Sequence, residues 1–359
     1  MRREIFRSDP RRALALLARA EVVHLATTTP EGAPVLRALD AAVLEDGVYF
    51  HGARAGEKAR CLGRPAVVSA VEVVTHVPSW MVHPSHACPA STFYRSVQVH
   101  GTIREVTSPA EKARALEALM SRWQPEGRYD PIDPSHPHYA GELRGTLVFT
   151  VPFERVDGKD KLGQNRKPEE LLAILTGLWE RGQPGDAEAI EAVRAACPAI
   201  PDPPFLACEG FRLHAALTEE DLPAVEALLA GERGWAGQPR DLVAPAHRAA
   251  SAWVGARAPD GTLVASARAV SDGRRAWVDD VVVAPGCRER GLGERVVALL
   301  LDHPAVRRVP SVLMATRDAH GLCAKFGFVD AATRRPGAGA SDLVLVRPGA
   351  PDRGGQPGS

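Results

Sequence analysis

Residues 281–301, VVVAPGCRERGLGERVVALLL, read as a buried strand, a tight turn and the first turns of a helix. Arg288, Gly291 and Gly293 fall in an R-x-x-G-x-G pattern inside that turn. The start of a helix leaves backbone N–H groups without intrahelical partners, and the helix dipole favours negative charge there. A pyrophosphate fits such a turn. Rossmann and P-loop proteins use glycine-rich turns on the same logic, so the motif gains specificity only from its surroundings.

Those surroundings are strands joined as hairpins. Upstream, 211–215 is a short strand, and Thr218 followed by Asp221 caps a helix over 219–230. A loop over 231–240 leads to a helix over 241–250. Strands 252–258 and 263–270 flank Pro259-Asp260-Gly261, a hairpin turn, and strand 276–283 runs into the motif. Downstream come a strand at 310–315, a helix at 319–326, and strands at 327–334 and 342–347. The Rossmann reading fails on the glycine spacing and on the hairpin-linked strands.

The position of R-x-x-G-x-G after the fourth strand, MATRDAHGLCAKFGF at 314–328 and GERGWAGQP at 231–239 together resemble the GCN5-related N-acetyltransferase (GNAT) superfamily over nearly all of 211–335. The resemblance implies a mixed α/β sheet that binds acetyl-CoA and passes the acetyl group to a small-molecule amine. It implies that backbone groups of Val281, Val282 and Val283 pair with the pantetheine arm as an added strand. The N–H groups from Arg288 to Gly293 would hold the pyrophosphate, with Gly291 and Gly293 permitting close approach. Asp318 stands where the superfamily often has an asparagine near the pantetheine. At Cys323 the superfamily usually has a tyrosine, the general acid toward the departing thiolate. A thiol, with a reference pKa of about 8.5, is able to give that proton. The other reading of Cys323 is a small buried apolar residue. Asp279, Asp280 and His320 are the candidates to take the amine proton, and strand alternation leaves one of the two aspartates free to face solvent.

The chain of 359 residues exceeds the needs of one ordinary domain, and its 45% hydrophobic and 25% charged content is that of a soluble globular protein. Lys plus Arg equals Asp plus Glu at 44 each, so no global basic field argues for nucleic acid. No apolar run has the length of a membrane span, and the opening MRREIFRSDPRRALALLARA lacks the apolar core of a signal peptide, which points to a cytoplasmic chain. The 6 cysteines are scattered without a C-x-x-C pair, so reduced thiols are expected.

The first half reads differently. A helix begins at Ser8-Asp9-Pro10. Strands follow at 22–28, 34–43 and 48–51, with Asp46-Gly47 as a hairpin signal. The glycine-containing loop 52–61 opens a short helix. Further strands lie at 66–74, 96–105 and 145–153, and Ser108-Pro109-Ala110-Glu111 starts a helix running to Trp123. Short strands in a meander predict a small barrel.

VYFHGARAGEKARCL at 48–62, YRSVQVHG at 94–101 and KLGQNRKPEE at 161–170 resemble the pyridoxamine-phosphate-oxidase-like, FMN-binding split-barrel superfamily, in its flavin-nucleotide-binding branch, over roughly 12–200. The resemblance implies FMN at the interface of a homodimer, its phosphate held by Arg37 and Lys58, with Arg95 and Ser96 on a neighbouring strand. A phosphate needs fixed cations and donors, and Lys58 follows Gly56 at a helix start. The alternative is that Arg37 and Lys58 are solvated surface charges. Residues that would mark strict pyridoxamine-phosphate oxidase activity are not recognisable. Lys161, Gln164 and Asn165 are further donor candidates.

His76, His83, His86 and Cys88 lie close in sequence, but their spacing matches no zinc pattern, and an irregular loop is expected instead of a metal site. His136 and His138 read as loop residues. The proline-rich 198–204 reads as a stiff linker. The fold class expected is α+β, an N-terminal split β-barrel over 1–200, a linker over 201–210, a C-terminal GNAT mixed α/β sheet over 211–348, and a disordered tail over 349–359. Three functions are compatible with these features. They are an N-acetyltransferase fused to an FMN-binding barrel, an FMN-dependent reductase or oxidase with a secondary CoA-binding half, and a protein that binds both ligands without turnover.

Overall fold

The computed structural model describes residues 4–232, 235, 239–316, 319–330 and 342–346. It divides into two compact units, Met1–His76 with Ser91–Asn165, and Val77–Ala90 with Arg166–Ser359. Asp318 and the 349–359 tail lie outside the described residues, as does part of the 231–239 loop.

The first unit opens with α1 (Pro10–Arg19), which starts because the Asp9 carboxylate accepts the N–H groups of Arg11 and Arg12 and proline occupies the first turn. Then come β1 (Val23–Thr28), β2 (Pro34–Leu39), β3 (Ala42–Val43), β4 (Gly47–Gly52), α2 (Glu57–Arg60), β5 (Pro65–Val77), β6 (Ser91–Thr102) and β7 (Arg104–Glu105). They are followed by α3 (Pro109–Trp123), α4 (Pro137–Gly145), β8 (Leu147–Pro152) and β9 (Arg155–Lys161). One sheet runs β2-β1-β5-β6-β9 and the other β3-β4-β8-β7. Their apolar faces share a core that includes Leu17, Leu25, Val48, Phe50, Val68, Val97 and Phe149. The rings of Phe50 and Phe149 stack at 5.2 Å.

Four features depart from the sequence reading, one being the expected strand at 96–105, which breaks at Ile103 so that β6 and β7 belong to different sheets. The expected strand at 34–43 breaks at Asp40 and Ala41, and β2 and β3 belong to different sheets. That corner closes the barrel. The stretch around His136 and His138, expected as loop, is the start of α4, with the His136 side chain accepting the His138 amide. The polar β9 has no apolar alternation, yet it pairs with β6 from Tyr94↔Lys161 to His100↔Arg155. Gly158 explains its place: a Cβ there would lie 2.7 Å from the Cβ of Ala13, so α1 rests directly on the strand.

The second unit holds α5 (Pro168–Arg181), α6 (Asp186–Ala196), β10 (Arg212–His214), α7 (Leu222–Leu229), α8 (Val243–Arg248), β11 (Ala252–Arg257), β12 (Leu263–Ser271) and β13 (Arg275–Val283). After these come α9 (Leu292–Asp302), β14 (Ser311–Ala315), α10 (His320–Lys325), β15 (Val329–Asp330) and β16 (Asp342–Val346). The sheet order is β10-β11-β12-β13-β14-β16-β15. Only the β13–β14 pair in it is parallel. The whole chain is thus α+β, a split barrel followed by a GNAT-like sheet.

The proline-rich 198–204 does not separate the two units. Phe205 stacks on Trp179 at 4.6 Å and Leu206 is fully buried. The buried Arg194 guanidinium donates to Glu191, Asp202 and the Leu213 carbonyl, which ties α6 to β10. Trp179 donates its indole N–H to Asp302 at 2.7 Å. These contacts place 166–210 in the second unit, where the sequence reading set the boundary at 200.

His303, packed edge-on against Trp179, accepts the Ala305 amide on Nδ1. Burial and the nearby Arg307 hold its pKa down to about 4. An unfolded histidine titrates near 6.5, so between these values the unfolded chain carries the extra proton and stability rises with pH. Stability is full above pH 6.5 and falls by a few kcal/mol at most as pH drops toward 4. Urea titrations across that range should give this slope, and His303→Gln should flatten it; an unchanged slope in the variant would contradict the assignment.

Candidate functional site

The backbone of β13 is the first element of the site. Ser266 faces Val282 and Arg268 faces Asp279, so Asp280 and Val281 together oppose Ala267 alone. This is a β-bulge, and Asp280 adopts a left-handed φ of 52° to make it. Parallel pairing with β14 runs from Arg275↔Ser311 to Val278↔Met314 and stops there. Beyond Val278, no described strand pairs with β13 on the β14 side. The Ala284 amide donates to Val264 at 2.8 Å, toward β12. Backbone groups alternate sides along a strand, so the N–H and C=O of Val283 point to the open side.

The turn after β13 is the second element. Glu289 has φ 61° and Gly291 φ 75°, and Gly291 is the N-cap of α9. Left-handed residues interleaved this way turn successive N–H groups into one concavity, which suits an anion. Gly293 sits in the first turn, with only Val283 Cγ2 and Leu322 Cδ2 approaching a Cβ built there, at 3.6 and 3.9 Å. The Arg288 side chain turns back, its Nε donating to the Val283 carbonyl at 3.0 Å and its Nη2 to Glu232 at 2.6 Å.

Asp280 is engaged on both oxygens. One accepts the indole N–H of Trp235 at 2.6 Å, the other Nε of Arg268 at 2.5 Å. Asp279 lies 3.6 Å from the same guanidinium, and burial pushes its carboxyl up against the pull of Arg268. Cys323 is 2% exposed, with its thiol on Met314 Sδ at 3.3 Å, and burial pushes its pKa up. His320 is exposed at the start of α10. Val281 is half-buried on the open edge.

In the first unit, Arg37 and Lys58 line one cleft of about 350 Å³ with Ala53, Ala55, Gly56 and Glu57. Lys58 also lines a neighbouring cleft of about 420 Å³ with His51 and Asp40. Glu57 forms an ion pair with Arg37. Arg95 and Ser96 lie on β6, outside both clefts, and Arg95 stands 3.6 Å from Glu72. Lys161 donates to Ser91, and Gln164 bonds the backbone of Leu162 and Asp160. His76, expected in the loop, stands at the end of β5 with its Nδ1 3.1 Å from Thr92, and in the following segment, part of the second unit, His83 Nδ1 accepts the amides of Ser85 and His86.

Sequence reasoning missed Arg268, Trp235 and Glu232. Trp235 was within reach, because it sits in the GERGWAGQP loop. Glu232 sits in the same stretch, and only its ion pair with Arg288 marks it out; Arg268 carries no local signal, and the sheet register brings it to the site. No helix among the described residues is long and apolar enough to cross a membrane.

Comparison with known proteins follows this division. Residues 9–160 match a family described as pyridoxamine 5'-phosphate oxidase, and 219–328 match the acetyltransferase (GNAT) family. A curated relative, glucosamine 6-phosphate N-acetyltransferase 1 of Oryza sativa subsp. japonica, is 46% identical over 59 residues, which is 16% of this chain and 36% of that protein. The chain therefore spans little more than a third of the curated relative it matches. Among solved structures, the FAD and heme binding protein from Mycobacterium smegmatis is 24% identical, covering 47% of this chain and 80% of that one at a TM-score of 0.38. A GNAT family N-acetyltransferase from Escherichia coli in complex with CoA is 19% identical, covering 39% and 83% at a TM-score of 0.33. The chain is accordingly a fusion, with a pyridoxamine-phosphate-oxidase-like split barrel at 9–160 and a GNAT segment at 219–328.

Proposed function

We propose that the second unit transfers an acetyl group from acetyl-CoA to the amine of a small molecule, and that the first unit binds FMN in a homodimer. The observation that carries the transferase reading is the open side of β13 running directly into the Glu289–Gly293 concavity. A pantetheine arm has amides to pair with Val281 and Val283, and the pyrophosphate meets the N–H groups of the turn.

In the transfer, the amine nitrogen attacks the thioester carbonyl, the C–N bond forms, the C–S bond breaks, and a proton passes from nitrogen toward the thiolate. Holding the thioester beside β13 supplies much of the rate through orientation. Asp279 is the carboxyl we assign to receive the amine proton, directly or through water, because burial raises its basicity and its polar neighbours stand farther off than those of Asp280, the Trp277 indole N–H at 3.2 Å and Arg268 at 3.6 Å. Asp280 is committed to Arg268 and Trp235, so its role is to hold the bulge and to fix these two side chains. Cys323, packed on Met314, is assigned to the core and not to proton delivery. His320 is a second candidate for that proton from its exposed place on α10, and Asp318 keeps its place near the pantetheine from the sequence pattern alone.

For the barrel, Arg37, Lys58 and the backbone at Gly56 fit the phosphate end of FMN, although Glu57 must release Arg37 for both cations to serve. FMN when bound supplies electron or hydride transfer. Arg95 and Ser96 on β6 are assigned to the flavin only if a second protomer brings them to the cleft. The homodimer is supported by Leu36, Val71 and Val73, large apolar side chains left exposed on β2 and β5. A cytoplasmic location accords with the scattered thiols.

Gly291→Val should weaken acetyl-CoA binding by more than about tenfold in calorimetry. A β-branched residue at its φ costs about 1–2 kcal/mol and puts a side chain into the open space where the anion would sit; unchanged affinity would remove the transferase reading. Asp280→Ala should lower the stability of the second unit by about 3 kcal/mol in denaturant titration, because it strips the part-buried Arg268 of its nearest anion. An unaltered midpoint with lost turnover would instead return the base role to Asp280. Lys58→Ala should reduce FMN retention, read by flavin absorbance after gel filtration, while acetyl transfer to an amine panel that includes glucosamine 6-phosphate persists. Retained flavin would remove Lys58 from the phosphate site.

A further inference from the structure

Arg288 raises a conflict that the proposed site must resolve. Its Nε lies 3.0 Å from the Val283 carbonyl, and that carbonyl faces the open side of β13. Its Nη2 is held at 2.6 Å by Glu232, in the loop after α7. The pantetheine arm, in the reading above, runs along the same open side and uses the same carbonyl. A carbonyl has two lone pairs, but a guanidinium standing on it also fills the path of the arm. The same arginine opens the turn whose N–H groups meet the pyrophosphate, so it has a second anion to go to.

We infer that Arg288 and Glu232 form a latch across Val283, opened by acetyl-CoA when its pyrophosphate replaces Glu232 as the partner of the guanidinium. The inference rests on the CoA reading of this site and adds Glu232 to it as a positioning residue, acting through Arg288. One ion pair is exchanged for another, so the net cost of opening is small. The Arg288 and Glu232 side chains are 52% and 35% exposed, which places the pair among those worth under about 1 kcal/mol. A ligand with the arm but no pyrophosphate breaks the latch without compensation. Acetyl-CoA receives the compensation. The device therefore discriminates against short acyl thioesters that lack the nucleotide end.

The test compares S-acetyl-pantetheine, which has no pyrophosphate, with acetyl-CoA on the full chain by calorimetry. Glu232→Gln should tighten both ligands by about two- to fivefold, the worth of an exposed ion pair. Arg288→Ala should split them, tightening S-acetyl-pantetheine while weakening acetyl-CoA. This crossover is not expected of a residue that merely supports the fold. Weaker or unchanged S-acetyl-pantetheine binding in both variants overturns the latch while leaving the CoA site in place. Wild-type protein that binds neither ligand overturns the CoA reading and the latch with it.

Discussion

The second unit depends on the bulge at Asp280 and Val281. Two residues opposite one force β13 to bend, and the bend ends its pairing with β14 at Val278. The left-handed φ at Asp280 is unfavourable for a residue with a Cβ, and the carboxylate offsets that cost by bonding Arg268 and Trp235. Without the bulge, β13 and β14 would zip together and bury the backbone groups that the proposed site needs. The same carboxylate also holds the Trp235 indole.

The fold was largely legible in the sequence because it is written in periodicities and turn chemistry. The strand, turn and helix of 281–301 appear as expected, and the Thr218–Asp221 cap and the Ser108–Pro109 helix start form as read. What failed was set by long-range pairing. β9 carries Arg155, Asp157, Lys159 and Lys161 on one face and Asp160 on the other, and its pairing with β6 and contact with α1 make it a strand. The corner at Asp40 and Ala41 is dictated by barrel closure and not by a local breaker. Arg194, Trp179 and Phe205 draw 166–210 into the second unit, a burial that a proline count does not reveal.

The site was legible where it is made of backbone and less so where it is made of side chains. Gly291 and its turn are marked by the R-x-x-G-x-G spacing and its place after a strand, and the structure makes Gly291 the left-handed N-cap of α9. Asp279 and Asp280 could not be told apart by alternation, because the bulge breaks the alternation between them. Cys323 carried two meanings in the sequence, and its contact with Met314 favours packing. In the barrel, Arg37 and Lys58 meet at one cleft although they are far apart in sequence. Arg95 and Ser96 do not join them within one chain.

The central claim is that the open side of β13 receives the pantetheine arm, and amide hydrogen exchange tests it most directly. The Val283 N–H faces that side with no strand beside it among the described residues. Adding acetyl-CoA should slow exchange at Val283 and across Arg288 to Gly293, with little change at Val278, which already pairs with Met314. Unaltered exchange at Val283 under saturating acetyl-CoA would contradict the account.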